Sequence, residues 1–203
     1  TLTEESSIQP ANSPYGNTKQ IGEEIIRDLI SSGSDIKIMN LRYFNPVGAH
    51  KSSIIGELPI GTPNNLFPFI MQTGIGKLEE LSVFGNDYNT HDGTCIRDYI
   101  HVSDVADAHV KALDWLMEQK GGFVEDINIG TGNGTSVLEI INAFEEVSGL
   151  KLRWKFAARR AGDTEEIYAN VEKSRSLLNW RATRTVMDAV QDAWNWEQKL
   201  NND

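Results

Sequence analysis

From Ser13 onward the apolar residues recur at three- and four-residue spacing and then shift towards alternation, and that change of period predicts the first two elements. Ile21, Ile25, Ile26, Leu29 and Ile30 make one stripe of a helix. Ser13 suits its N-cap and Pro14 its first position, where a missing N–H removes nothing needed. Ser31 to Gly33 ends it. Asp35 to Phe44 then reads as a strand anchored by Ile36, Ile38 and Leu41, and the NPVGAH run breaks it. Helix followed by strand is the pattern of an α/β fold.

The same reading carries to the end of the chain. After a Gly- and Pro-rich loop from Gly56 to Pro63, Asn64 or Asn65 caps a short helix from Leu66 towards Ile75, and ELSVFG forms a short strand. CIRDYIHV, Cys95 to Val102, is extended, and Ser103 caps a helix whose apolar side carries Val105, Ala106, His109, Val110, Leu113 and Leu116. Asp126 to Gly130 is another strand, and Ser136 with Glu139 makes a capping box before VLEIINAFEEVSG. LRWKF follows as a strand, ARRAGD as a loop, then a helix from Lys173 and a last helix around Trp194 and Trp196.

Composition narrows the partners. The 203 residues suit one large domain or two small ones. A net charge of -10, from 19 basic against 29 acidic side chains, disfavours nucleic acid and anionic membranes, although a few local arginines can still hold an anionic small molecule. The single Cys95 excludes an internal disulfide framework and fits a reducing compartment. No segment approaches the roughly 18 apolar residues of a membrane helix, and the first residues lack a signal peptide's basic and apolar regions. These features lead to the expectation of a soluble, cytoplasmic protein. The chain opens on Thr1 in polar, loop-like sequence, as if upstream residues were missing.

Two stretches invite chemistry. NIGTGNGTS lies between a strand and a helix, as a dinucleotide-binding turn would. Its Gly130, Gly132 and Gly134 are spaced G-x-G-x-G, however, whereas the fingerprint needs its third glycine at Thr135. It reads as a tight strand-to-helix turn. SPYGNTK places Tyr15 and Lys19 four residues apart on one helical face. An ammonium beside a phenol favours the phenolate, a form able to take a hydroxyl proton. Alone the spacing is weak, since many surface helices carry it by chance.

Context strengthens it. SPYGNTK, LRYFNPVGAH, PNNLFPFI, VFGNDYNTHDGTCIRDYIHVSDVADAHVKAL, NIGTGNGTSVLEII and ARRAGD occur in the order and approximate spacing of the UDP-glucose 4-epimerases (UDP-galactose 4-epimerases), extended short-chain dehydrogenases/reductases, which this chain resembles over essentially its whole length. The resemblance implies an α/β fold made of the C-terminal portion of a Rossmann-type parallel sheet plus a smaller α/β substrate-binding domain. Residues 1–45 and 99–130 would belong to the NAD-binding side, and 46–98 and 131–203 to the substrate-binding side. It implies NAD as cofactor, UDP-glucose and UDP-galactose as substrates, and no metal. Tyr15 would be the base, and Lys19 would bind the nicotinamide ribose hydroxyls. Phe44 would line the nicotinamide side, and Tyr43, Phe44 and Asn45 would meet the substrate. Asn64, Asn65 and Leu66 would approach the phosphates, where a helix N-terminus offers free N–H groups. Ser82, Val83 and Phe84 would sandwich uracil, Arg97 and Arg160 would hold the diphosphate, and Asp163 would receive ribose hydroxyls. The implied reaction removes the 4-OH proton through Tyr15 while hydride leaves C4, then returns hydride to the other face of the 4-keto sugar, with no net redox change.

Arg97 is also notable without the resemblance, because it lies in an otherwise buried-looking strand where a guanidinium needs an anionic partner. Family members begin with a strand, a G-x-x-G-x-x-G turn and half the Rossmann sheet, and their Ser or Thr partner precedes the tyrosine by more residues than this chain has. The expectation is therefore a C-terminal part that is inactive alone and leaves apolar edge surface exposed. Ile167, of intermediate bulk, implies a preference for glucose and galactose over N-acetylated sugars. Another nucleotide-sugar 4-epimerase, a 4,6-dehydratase and a non-catalytic UDP-binding fragment stand as alternatives. A homodimer of the full-length enzyme, through the first helix and its neighbour, is expected by analogy.

Overall fold

Parallel strand pairing dominates the architecture. The computed structural model describes residues 1–11 and 13–202. In chain order the elements are α1 (Pro14–Ser31), β1 (Lys37–Tyr43), β2 (Asn45–Val47), α2 (Leu66–Gly74), β3 (Leu81–Phe84), β4 (Ile96–Arg97), β5 (Tyr99–His101), α3 (Val102–Glu118), β6 (Phe123–Ile129), β7 (Thr135–Ser136), α4 (Val137–Ser148), β8 (Trp154–Ala157), β9 (Glu166–Ile167), α5 (Glu172–Leu178) and α6 (Val186–Asn202). β1 pairs with β6, β2 with β5, β3 with β8 and β4 with β9, all parallel, while β7 joins β4 antiparallel. This is an α/β fold, and helices supply the crossovers that parallel pairing demands.

Two apolar cores divide the molecule. Phe67, Ile70 and Met71 of α2 pack with Leu81 and Val83 of β3, Ile140, Ile141 and Phe144 of α4, and Val190 and Trp194 of α6. The second core joins Ile100 of β5 and Ile127 and Ile129 of β6 to Val105, Ala108 and Ala112 of α3 and to Leu178 and Trp180. Residues from α5 thus pack with β6 rather than with the C-terminal helices that flank them in sequence.

Helix α1 is held differently. None of its residues is buried. Instead Glu23 accepts from Arg42 Nη2 at 2.6 Å and Nε at 2.9 Å, and Asp126 on β6 accepts from Arg42 at 2.9 Å, from Asn40 at 2.7 Å and also from Arg27. The Arg42 guanidinium holds the Glu23 carboxyl below the usual carboxylate range. This polar network, rather than apolar burial, ties the helix that carries Tyr15 and Lys19 to β1 and β6.

Several expectations are corrected. NPVGAH does not simply break the strand: Phe44 N still donates to Ile129 O at 3.2 Å, Asn45 N donates to Asp98 O at 3.0 Å, and β2 continues beside β5. The chain changes partner at Phe44, and Pro46 is tolerated in a strand of three residues. The N-cap of α3 is His101, not Ser103, because the His101 Nδ1 accepts from Ser103 N at 3.0 Å. Ala106, His109, Val110 and Leu113 face solvent, and α3 buries Asp104, Val105, Ala108 and Ala112. Asn65 occupies the α2 N-cap without a side-chain cap bond, its amide donating to Glu57 at 3.3 Å instead. Strand β9 had no counterpart in the sequence reading, since two residues carry no period.

The NIGTGNGTS turn is a structural joint. Its amides are taken by the fully buried Asp98, which accepts from Thr131 N at 2.9 Å, Thr131 Oγ1 at 2.7 Å, Gly132 N at 3.1 Å and, from the segment after β9, Ala169 N at 3.2 Å. A Cβ on Gly130 would stand 2.4 Å from Asp98 Oδ2, so only glycine lets the carboxylate in. The amides of Thr131, Gly132 and Asn133, which a phosphate would need, are already taken within the protein.

Candidate functional site

Two clefts meet along one wall. The larger, about 900 Å³, is lined by Tyr15, Lys19, Glu23, Tyr43, Phe44, Pro68 and His109 among others. The smaller, about 340 Å³, is lined by Asn64, Phe69, Ser82, Val83, Phe84, Cys95, Arg97, Val137, Arg160 and Asp163. Asn45, Asn65, Leu66 and Tyr99 line both, so the clefts are neighbours sharing a boundary. The larger runs along α1 and β1, with Gly22, Ile26, Met39 and Leu41 in its wall, and meets the smaller beyond Tyr43 at the carboxyl end of β1, the usual place for a ligand in an α/β sheet.

At one end, Ser13 caps α1 by accepting from Gly16 N at 3.1 Å, which sets Tyr15 and Lys19 in its first turns. The Lys19 ammonium lies over the Tyr15 ring, 5.1 Å from its centroid. Tyr15 is 72 % exposed. The phenol and the amine therefore share a cleft wall in the arrangement that helical spacing anticipated.

The other end is cationic and aromatic. Arg97 donates to Ile96 O at 2.9 Å and approaches Asp163 at 3.6 Å, giving the strand arginine its anionic partner. Arg160 stacks over the Phe84 ring, 4.0 Å from its centroid. Alternation along β3 sends Leu81 and Val83 into the core and leaves Ser82 and Phe84 partly exposed, so Val83 meets the cleft from within the packed wall. Burial pushes the Tyr99 phenol well above its ordinary range, keeping it a neutral donor.

Of the residues singled out in the sequence, Ile167 alone lines neither cleft. It pairs with Arg97 between β9 and β4, next to the site but outside its lining. Tyr99, Cys95, Phe69, Val137 and Glu57 line the clefts without having been singled out. Tyr99 and Cys95 flank Arg97 in one extended run, and alternation around a strand arginine was the signal that could have found them.

Comparison with known proteins now decides the family. The family model described as "NAD dependent epimerase/dehydratase family" matches residues 1–130. The chain belongs to that family. UDP-glucose 4-epimerase 2 of Arabidopsis thaliana is 53 % identical over 194 residues, covering 96 % of this chain and 55 % of the plant protein. Among solved structures, the UDP-glucose-4-epimerase of Stenotrophomonas maltophila, with bound NAD and formylated UDP-arabinopyranose, superposes with a TM-score of 0.94 at 46 % identity, covering 99 % of this chain and 59 % of that one. The UDP-glucose 4-epimerase of Bifidobacterium longum, in complex with NAD+ and UDP, gives 0.92 at 42 % identity, with 99 % and 59 % covered. The chain thus spans little more than half the length of the family members it matches. Among the described residues, no helix is long and apolar enough to cross a membrane, and no group of His, Cys, Asp and Glu is suited to hold a metal ion.

Proposed function

We propose that this chain supplies the tyrosine base and the UDP site of an enzyme that interconverts UDP-galactose and UDP-glucose. The observation that carries this reading is the joining of a Tyr15–Lys19 cleft to a cleft lined by Arg97, Arg160 and Asp163 through the shared residues Asn45, Asn65, Leu66 and Tyr99. The small cleft offers what a nucleoside diphosphate needs: two guanidinium groups for phosphate oxygens, the Asp163 carboxylate for hydroxyls and the Phe84 ring for a base. Ser82 and Val83 would complete the wall beside the base, and Asn64, Asn65 and Leu66 at the start of α2 the phosphate side. Asn45 and Tyr43 lie where the hexose would extend towards Tyr15.

Lys19, Tyr15 and Phe44 fit the nicotinamide-ribose end of NAD, because an ammonium donates to vicinal hydroxyls and an aromatic side chain borders a flat ring. When bound, NAD would supply hydride acceptance and return. The residues of this chain do the rest: Tyr15 takes the 4-OH proton and later gives it back, and the diphosphate anchor keeps the ligand in place while the sugar turns. In this reading residues 1–45 and 99–130 form part of a Rossmann-type sheet and 46–98 and 131–203 the substrate side, with α5 packed across the division. The two apolar cores follow that partition except at Tyr99, which joins the first, and at Leu178 and Trp180, which join the second.

Titration of the 203-residue chain with UDP, without NAD, tests the site. Binding is expected, and Arg97→Ala is expected to weaken it at least about tenfold, since charge-assisted bonds to phosphate are the stronger class. A folded chain that takes up no UDP would sink this reading.

A homodimer through α1 and α3 belongs to the same proposal. Ile25 on α1 is 61 % exposed and Leu113 and Met117 on α3 are 60 % and 74 % exposed, apolar side chains that a second copy would cover. Sedimentation equilibrium is expected to give twice the chain mass, and Leu113→Lys to reduce it to one; a wild-type chain that stays monomeric at high concentration refutes the dimer.

A further inference from the structure

β3 and β8 run parallel in register from Leu81 opposite Trp154 to Phe84 opposite Ala157, so the loops leaving their carboxyl ends start side by side. The loop after β8 carries Arg160 and Asp163, which line the smaller cleft. The loop after β3 carries Asp87 and Tyr88, which line neither cleft.

Arg159 ties the two loops together. Its Nε donates to Asp87 Oδ1 at 2.7 Å, its Nη2 donates to the Asp87 carbonyl, and its guanidinium carbon stands 4.0 Å over the centroid of the buried Tyr88 ring. At the far end of the same loop, Glu165 accepts from Asn89 N at 3.4 Å. Gly85 makes the approach feasible, because a Cβ there would lie 2.3 Å from the Tyr88 ring and 3.1 Å from Arg159 Cγ. Consecutive arginines thus stack on different rings, Arg159 on Tyr88 outside the cleft and Arg160 on Phe84 within it.

We propose that Arg159, with Asp87 and Tyr88, is a strap that holds the loop from Ala158 to Glu165 over the smaller cleft and thereby positions Arg160 and Asp163. The positioning role rests on the reading of that cleft as a UDP site. An exposed ion pair alone contributes little. Here one planar guanidinium makes two hydrogen bonds and covers a ring, a combination lysine cannot reproduce. Hydrogen bonding from Arg159 also holds the Asp87 carboxyl below the usual range.

Asp87→Ala leaves both arginines in place, so trypsin cleavage after Arg159 and Arg160 reports opening of the loop. The expected result is faster cleavage at these two sites and a UDP dissociation constant raised about two- to fivefold, the scale of one exposed ion pair, whereas Arg159→Ala, which also removes the stacked cation, should raise it about tenfold. The thermal midpoint should not move, since Asp87 is exposed. Arg159→Lys should fall between wild type and Arg159→Ala in affinity. Unchanged cleavage in Asp87→Ala overturns the strap, and faster cleavage with unchanged UDP affinity overturns the positioning role. Faster cleavage in a chain whose wild type binds no UDP upholds the strap and overturns the UDP reading instead.

Discussion

Tyr15→Phe is expected to lower kcat about 10²–10⁴-fold, the usual scale for losing a positioned proton acceptor, in a protein that joins this chain to the part of a family member that it does not match. The natural donor is the Arabidopsis thaliana relative, which matches 96 % of this chain. The joined wild type should interconvert UDP-galactose and UDP-glucose, and the 203-residue chain alone should not. UDP affinity should survive the substitution, because Tyr15 lines the larger cleft and the arginines line the smaller one. A loss confined to KM would assign Tyr15 to binding, and full activity in the Phe variant would remove it from the reaction.

The second large effect concerns stability. Asp98→Ala should cost about 3 kcal/mol or more, because it strips the acceptor from three backbone amides and each orphaned buried donor costs on the order of 1–3 kcal/mol. The three are Thr131 N, Gly132 N and Ala169 N. Asp98 also stands next to Arg97, so the same change should loosen the strand that presents that arginine. Urea unfolding checks the prediction; a midpoint equal to that of wild type would mean that water or a shifted backbone replaces the carboxylate at no cost.

Much of the local structure was legible in the chain. Ser13 and Pro14 start α1 as anticipated, and Ser136 with Glu139 forms the anticipated capping box, with Ser136 N donating to Glu139 at 2.6 Å. These are short-range decisions, settled by side chains within three or four residues of the backbone groups they satisfy. The cap of α3 was missed because an imidazole nitrogen took the place of the usual hydroxyl or carboxylate. The apolar side of α3 was misassigned for a different reason: a stripe shows that a face is apolar, not which neighbour covers it.

The site divides along the same line. The residue types and the four-residue spacing of Tyr15 and Lys19 are properties of the sequence, as is the oddity of an arginine between Ile96 and Asp98. What only the tertiary structure decided is which of them meet. It brought Arg97 to Asp163 at 3.6 Å, set Arg160 on Phe84, and left Ile167 outside both clefts. It also committed the glycine-rich turn to a buried carboxylate between β4 and β5. Spacing along a helix constrains neighbours on one face, whereas contacts between distant segments depend on strand pairing and packing that no local window contains.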